Sequence, residues 1–138
     1  DFVLWRADGH VAYQLATGLD DAEQGITEVV RGADLLDSTP RQLLVQAALD
    51  LPSPTYAHHP VVMGRDGDKL SKQTQAPPLD LRNPGPQLSA ALRFLGQDVP
   101  AELAAADTAS LWQWALRHWA LQRVPKIPAA PLDMRNRA

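Results

Sequence analysis

A chain of 138 residues with 45% hydrophobic and 21% charged side chains has the composition of one globular domain, or of a domain with a small appendage, and excludes a disordered or fibrous protein. The absence of cysteine excludes a disulfide scaffold, a thiolate nucleophile and a cysteine-ligated zinc within these residues, and makes the cytoplasm the expected compartment. The formal charge of −3 is unevenly spread: residues 1–38 set eight acids against Arg6 and Arg31, whereas residues 39–138 set eight acids against eleven bases, so a polyanionic partner would have to meet a local basic face of the second part.

No charged, apolar, small-residue succession among the first residues given reads as a signal peptide, and no stretch reaches the roughly 18 uncharged apolar residues of a membrane span. Phe2-Val3-Leu4-Trp5 follows Asp1 at once, as expected of a chain that begins in mid-fold. Phe2 to Arg6 and Val11 to Leu15 flank Ala7-Asp8-Gly9-His10, and Asp-Gly between two apolar runs predicts a hairpin. A helix over about Gln14 to Glu23 should follow, closed by Gly25. Ile26 to Arg31 is short and β-branched, as a buried strand of a parallel sheet would be. Thr39-Pro40-Arg41-Gln42 predicts a helix start, with Thr39 as N-cap and Gln42 completing a capping box, and the helix should run to about Leu49. Tyr56 to Met63 reads as another strand, Arg65-Asp66-Gly67 as a tight turn, and this alternation predicts α/β layering.

After Pro77-Pro78 the pattern becomes helical, with no strand signal. Asn83-Pro84 starts one helix, with Leu88, Ala91, Leu92 and Leu95 on a stripe closed by Gly96. A second helix over about Thr108 to Gln122 is expected to bury Leu111, Trp112, Ala115, Leu116 and Trp119, leaving Trp114 as the better candidate for an exposed contact. The organisation expected is therefore 1–78, an α/β unit, followed by 79–138, an all-α segment.

Several patterns fail as sites. Gly64-x-x-Gly67-x-Lys69 lacks the spacing of a phosphate-binding loop, and Asp66-Gly67-Asp68 lacks the further oxygen ligands of a calcium loop. His58 and His59 are adjacent in a predicted strand, point to opposite faces and cannot share a metal ion. Lys69-Leu70-Ser71-Lys72-Gln73 remains: two of the chain's three lysines with a hydroxyl between them, after a strand and a turn, could bind nucleotide phosphates and neutralise departing pyrophosphate.

That pentapeptide resembles the KMSKS signature of class I aminoacyl-tRNA synthetases. The residues before it resemble the glutamyl branch: Tyr13-Gln14-Leu15-Ala16, Asp20-Asp21, Gln24-Gly25-Ile26-Thr27, and the block from Val30-Arg31-Gly32-Ala33-Asp34 through Leu35-Leu36-Asp37-Ser38 to Thr39-Pro40-Arg41-Gln42. The resemblance runs from residue 1 to about 96. Within the branch it is closest to the glutamyl-Q tRNA(Asp) synthetases, on Gly32-Ala33-Asp34-Leu35-Leu36 and on the 65 residues after Gln73, too few for anticodon-binding domains.

The resemblance implies the second half of a Rossmann-type catalytic core and the C-terminal part of a protein of roughly 300 residues, inactive alone. It implies that Tyr13 offers its hydroxyl to bound L-glutamate and that Arg31 pairs with a glutamate carboxylate. It implies that Lys72 contacts the ATP phosphates, with Lys69 and Ser71 shaping the loop. ATP with magnesium would activate glutamate, and the acyl group would pass to the queuosine base of tRNA(Asp). Zinc is expected only upstream, and the enzyme is expected to be monomeric. Two alternatives stand: an ordinary glutamyl-tRNA synthetase charging tRNA(Glu), or an RNA-binding module with Arg82, Arg93, Arg117, Arg123 and Lys126 as its basic face.

Overall fold

A computed structural model describes residues 1–64, 67, 69–70 and 78–132. The chain divides into two compact units, 1–58 and 59–138.

The first unit opens with the expected hairpin. Trp5 and Val11 form an antiparallel bridge, and Arg6 N–H donates to the His10 carbonyl at 2.8 Å across the Asp-Gly turn. Helix α1, Tyr13–Glu23, ends as predicted at Gly25, whose φ of +67° is the left-handed conformation that glycine adopts without strain. Gly25 N–H donates to the Ala22 carbonyl and Ile26 N–H to that of Asp21, which together close the last turn.

Strand β1, Glu28–Gly32, leads through a 3-10 helix, Ala33–Ser38, into α2, Thr39–Ala48, and then to β2, Thr55–His59. β1 and β2 pair. Thr55 hydrogen-bonds Thr27 across a sequence separation of 28, and Arg31 hydrogen-bonds His58 across one of 27. A nearly constant offset is the signature of strands running the same way, so β1-α2-β2 is a parallel β-α-β unit. α1 packs against α2, where Gly18 lies over Val45 and Gln46.

Two expectations are corrected here. Thr39 is not the N-cap of α2; Ser38 holds that place, in helical conformation and without a capping side-chain bond, because the preceding 3-10 helix runs straight into α2. β1 is also less buried than a strand covered on both faces, with only Val29, Arg31 and Gly32 partly shielded.

In the second unit the predicted strand Tyr56 to Met63 is broken at Pro60, which has no N–H for a sheet ladder. Beyond it, β3, Val61–Met63, pairs in parallel with β4, Ala129–Pro131. The expectation of an all-α segment over 79–138 is thus corrected. Ala-Ala-Pro is too short to show periodicity in sequence, and its strand form comes from pairing with β3.

Helices α3, Pro84–Phe94, and α4, Thr108–His118, pack around Leu92, Val99, Leu111 and Ala115. Each buried leucine or valine of this cluster contributes about 1.5–3 kcal/mol. The buried stripe of α4 differs from the expected one: Leu111 and Ala115 are joined by Trp114, which packs on this core and stacks on His118, while Trp112 and Leu116 are 53% and 82% exposed. Residues 111, 114, 115 and 118 recur at i, i+3, i+4 and i+7, whereas 112 and 116 lie about 100° further round. α4 ends at His118 because Trp119 turns to an extended ψ.

Gln97 is fully buried yet satisfied: its amide nitrogen donates to the Leu95 and Ala120 carbonyls, and its Oε1 accepts from Ala120 N–H at 2.9 Å. It ties the end of α3 to the segment after α4.

Gly96 has φ +83°, and a Cβ there would also overlap the Arg123 carbonyl oxygen. At Gly25 a Cβ would meet open space. Gly25→Ala should therefore cost only the left-handed penalty, about 1–2 kcal/mol, and Gly96→Ala clearly more; urea unfolding of the two variants checks the order.

At the start of α4 the Asp107 carboxylate accepts from Ser110 N–H at 2.9 Å, and this bond holds its pKa below the usual 3.8. A carboxylate with a depressed native pKa stabilises the fold above its unfolded value and loses that contribution as pH falls through the native one. Asp107→Ala should lower Tm at neutral pH, and its deficit against the unsubstituted chain should shrink as pH falls below 3.8; melts across pH 2 to 7 check this.

Candidate functional site

The parallel pair β1–β2 sets the geometry of the site. Side chains alternate along a strand, so Val29 and Arg31 share one face of β1, and Tyr56 and His58 share one face of β2. Arg31 Nη2 donates to Thr39 Oγ1 at 2.9 Å, and Arg31 Nε donates to His58 Nε2 at 3.4 Å. Thr39 Oγ1 and His58 Nε2 are themselves 3.0 Å apart. The Arg31 guanidinium carbon stands 4.9 Å from the Tyr56 ring centroid, a cation–π contact worth about 0.5–1 kcal/mol. Tyr56 in turn stacks on His58, with centroids 6.4 Å apart.

None of these partners is a carboxylate. Among the described residues no carboxylate pairs with Arg31, although the side chain is half-buried. A guanidinium partly withdrawn from water and held by acceptors without negative charge is a positive charge whose natural complement is an incoming anion, and a carboxylate matches its planar fork. The hydroxyl of Tyr56 is also buried without a hydrogen-bond partner among the described residues.

Of the residues predicted from sequence, Arg31 lies at the centre of this cluster. Tyr13 is the first residue of α1 and is half exposed. Its neighbour Gln14 donates through Nε2 to Ser38 Oγ at 3.0 Å, which ties the start of α1 to the residue before Thr39. Lys69 lies on the returning arm of a hairpin: it bridges Met63, Leu70 N–H donates to the Val62 carbonyl, and Gly67 N–H donates to that of Gly64 in the turn. Arg65, Asp66, Ser71, Lys72 and Gln73 lie outside the described residues, so the tight turn is described only at Gly67 and the lysine motif only at Lys69 and Leu70. The zinc expectation concerns sequence upstream of Asp1.

The sequence reading missed Thr39 and His58 as members of the site. Thr39 was expected to spend its hydroxyl on the helix terminus, and His58 was an ordinary strand histidine. The available signal was the i, i+2 pair Tyr56 and His58, which a parallel partner strand carrying Arg31 would bring face to face.

The basic face proposed for an RNA-binding module is partly spent within the fold. Arg93 Nη2 donates to the Val99 and Pro100 carbonyls, and Arg123 is ion-paired with Asp98. Arg82, Arg117 and Lys126 are exposed, as are Trp112 and Trp119.

Residues 1–81 match the model of a known family, the catalytic domain of class I tRNA synthetases (E and Q). The chain belongs to this family. Among class I synthetase relatives, the chain is 54% identical over 137 residues to the glutamyl-Q tRNA(Asp) synthetase of Xanthomonas campestris pv. campestris (strain 8004), spanning 99% of this chain and 46% of that one. It is 54% identical over 134 residues to the synthetase of that name from Chromobacterium violaceum, covering 97% of this chain and 43% of the relative. The chain thus spans a little under half the length of these relatives. Its structure is similar to a glutamate-tRNA synthetase from Elizabethkingia anophelis, with a TM-score of 0.63 and 25% identity over 94% of this chain and 30% of that one. The mixture of helix and strand seen here is therefore that of a class I synthetase catalytic domain.

In this synthetase chain the arginine Nε–H can only donate, so His58 Nε2 must accept and the ring proton belongs on Nδ1. A long-range 1H–15N spectrum should show neutral His58 as the Nδ1–H tautomer; a proton on Nε2 would contradict the arrangement.

Proposed function

We propose that this chain supplies the glutamate-binding arginine and the lysine loop of an enzyme that activates glutamate with ATP and transfers it to the queuosine base of tRNA(Asp). The observation that carries the reading is Arg31, half-buried and, among the described residues, held by groups that are not carboxylates, which suits a ligand carboxylate. The names of the relatives at 54% identity support the choice of substrate.

In this reading the β1-α2-β2 unit belongs to the second half of a Rossmann-type core, and the glutamate is received between Arg31 and the Tyr13 hydroxyl. Its α-carboxylate attacks the α-phosphate of ATP, giving glutamyl-adenylate and releasing pyrophosphate. A hydroxyl of the queuosine cyclopentene ring then takes the acyl group and displaces AMP. Lys72 neutralises charge on the phosphates while Lys69 and Ser71 shape the loop, and magnesium travels with ATP. The chain's part is positioning and charge stabilisation, with no covalent protein intermediate. A cytoplasmic monomer completes the proposal.

A second reading, an ordinary glutamyl-tRNA synthetase, is favoured by the structural likeness to the Elizabethkingia protein. Charging assays separate the two. A protein of the relatives' full length carrying this chain should acylate queuosine-containing tRNA(Asp) and leave tRNA(Glu) uncharged; acylation of tRNA(Glu) alone would establish the second reading.

The same protein should catalyse glutamate-dependent ATP–pyrophosphate exchange without tRNA, and Lys72→Ala should lower that rate about a hundredfold or more, the scale of losing one transition-state charge contact. Exchange at the unsubstituted rate would remove Lys72 from the mechanism.

A further inference from the structure

The three atoms around Arg31 specify more than that it binds an anion. A guanidinium offers a carboxylate two bidentate edges: side-on, through Nε and Nη2, and end-on, through Nη1 and Nη2. Here the donors already engaged are Nε, by His58 Nε2, and Nη2, by Thr39 Oγ1. The two acceptors lie 3.0 Å apart, so together they occupy the side-on edge much as the two oxygens of a carboxylate would, but without its charge. The Thr39 hydroxyl accepts from Arg31 and can donate its own hydrogen to His58 Nε2, whose single lone pair it shares with the longer contact from Arg31 Nε–H.

The Tyr56 ring lies against the guanidinium and limits rotation of the head group. Thr39 is itself fixed at the first turn of α2, and His58 in β2.

We infer that Thr39 and His58 are positioning residues that hold the side-on edge of Arg31 and so present its end-on edge, Nη1 with the second hydrogen of Nη2, to the carboxylate of the substrate. This rests on the glutamate-binding role proposed for Arg31 and says which atoms receive the ligand. Because Thr39 and His58 bring no negative charge to the edge they occupy, they leave the positive charge of the guanidinium available to the ligand. An aspartate in place of Thr39 would offer a similar oxygen while neutralising the charge.

The test is glutamate-dependent ATP–pyrophosphate exchange in the protein of the relatives' full length. Thr39→Val keeps the shape and removes the hydroxyl; it should raise the KM for glutamate about tenfold, the scale of one hydrogen bond to a charged group, while the KM for ATP stays within twofold. Thr39→Ser, which restores the hydroxyl, should recover most of that loss. His58→Gln, which keeps an acceptor near Nε2, should be milder than His58→Leu, and this pair decides the matter if Thr39→Val unfolds.

An unchanged glutamate KM in Thr39→Val, or equal defects in His58→Gln and His58→Leu, would overturn the positioning role while leaving the functional reading intact. Absence of glutamate-dependent exchange in the unsubstituted protein would overturn that reading, and this inference with it.

Discussion

The first unit is organised around a charge that no carboxylate among the described residues neutralises. Arg31 comes from β1, Thr39 from the first turn of α2, and Tyr56 and His58 from β2, so each segment of the β-α-β unit contributes one side of the same contact. Cross-strand register decides whether these groups meet. A shift of one residue between β1 and β2 would turn Tyr56 and His58 to the opposite face and leave Arg31 without its partners. The hydrogen bond between Thr55 and Thr27 at the beginning of the pair helps to fix that register.

The same constraint explains the irregular approach to α2. A conventional N-cap would have used the Thr39 hydroxyl to satisfy a backbone N–H of the first turn. Here the 3-10 helix Ala33–Ser38 carries the chain directly into α2, and the hydroxyl is left for Arg31 and His58. A modest gain in helix stability is exchanged for a fixed guanidinium, the kind of local departure from rule that concentrates at functional sites.

Much of this fold was legible where the signal is local. The Asp-Gly hairpin, the start of α3 at Asn83-Pro84, and the ends of α1 and α3 at Gly25 and Gly96 were each marked by a residue whose backbone preference is decisive. The end of α2 uses the same left-handed closure but places Asp50 there, with φ +55°, so no glycine marks it. What depended on tertiary partners was not legible. The β4 strand exists through its pairing with β3, and the core face of α4 could not be chosen by hydrophobicity alone when Trp112, Trp114 and Leu116 are all apolar. At the site, Arg31 and Tyr13 were reached through a family resemblance, whereas Thr39 and His58 needed the register of two strands that are far apart in the chain.

The central claim is that Arg31 is held side-on by the protein and open end-on to a substrate carboxylate. A crystal structure of the full-length protein with glutamate bound tests it directly. The account predicts a glutamate carboxylate within hydrogen-bond distance of Nη1 and Nη2, with Thr39 Oγ1 and His58 Nε2 still on the side-on edge. A carboxylate seated on Nε and Nη2 with Thr39 displaced, or glutamate bound with no contact to Arg31, would contradict it.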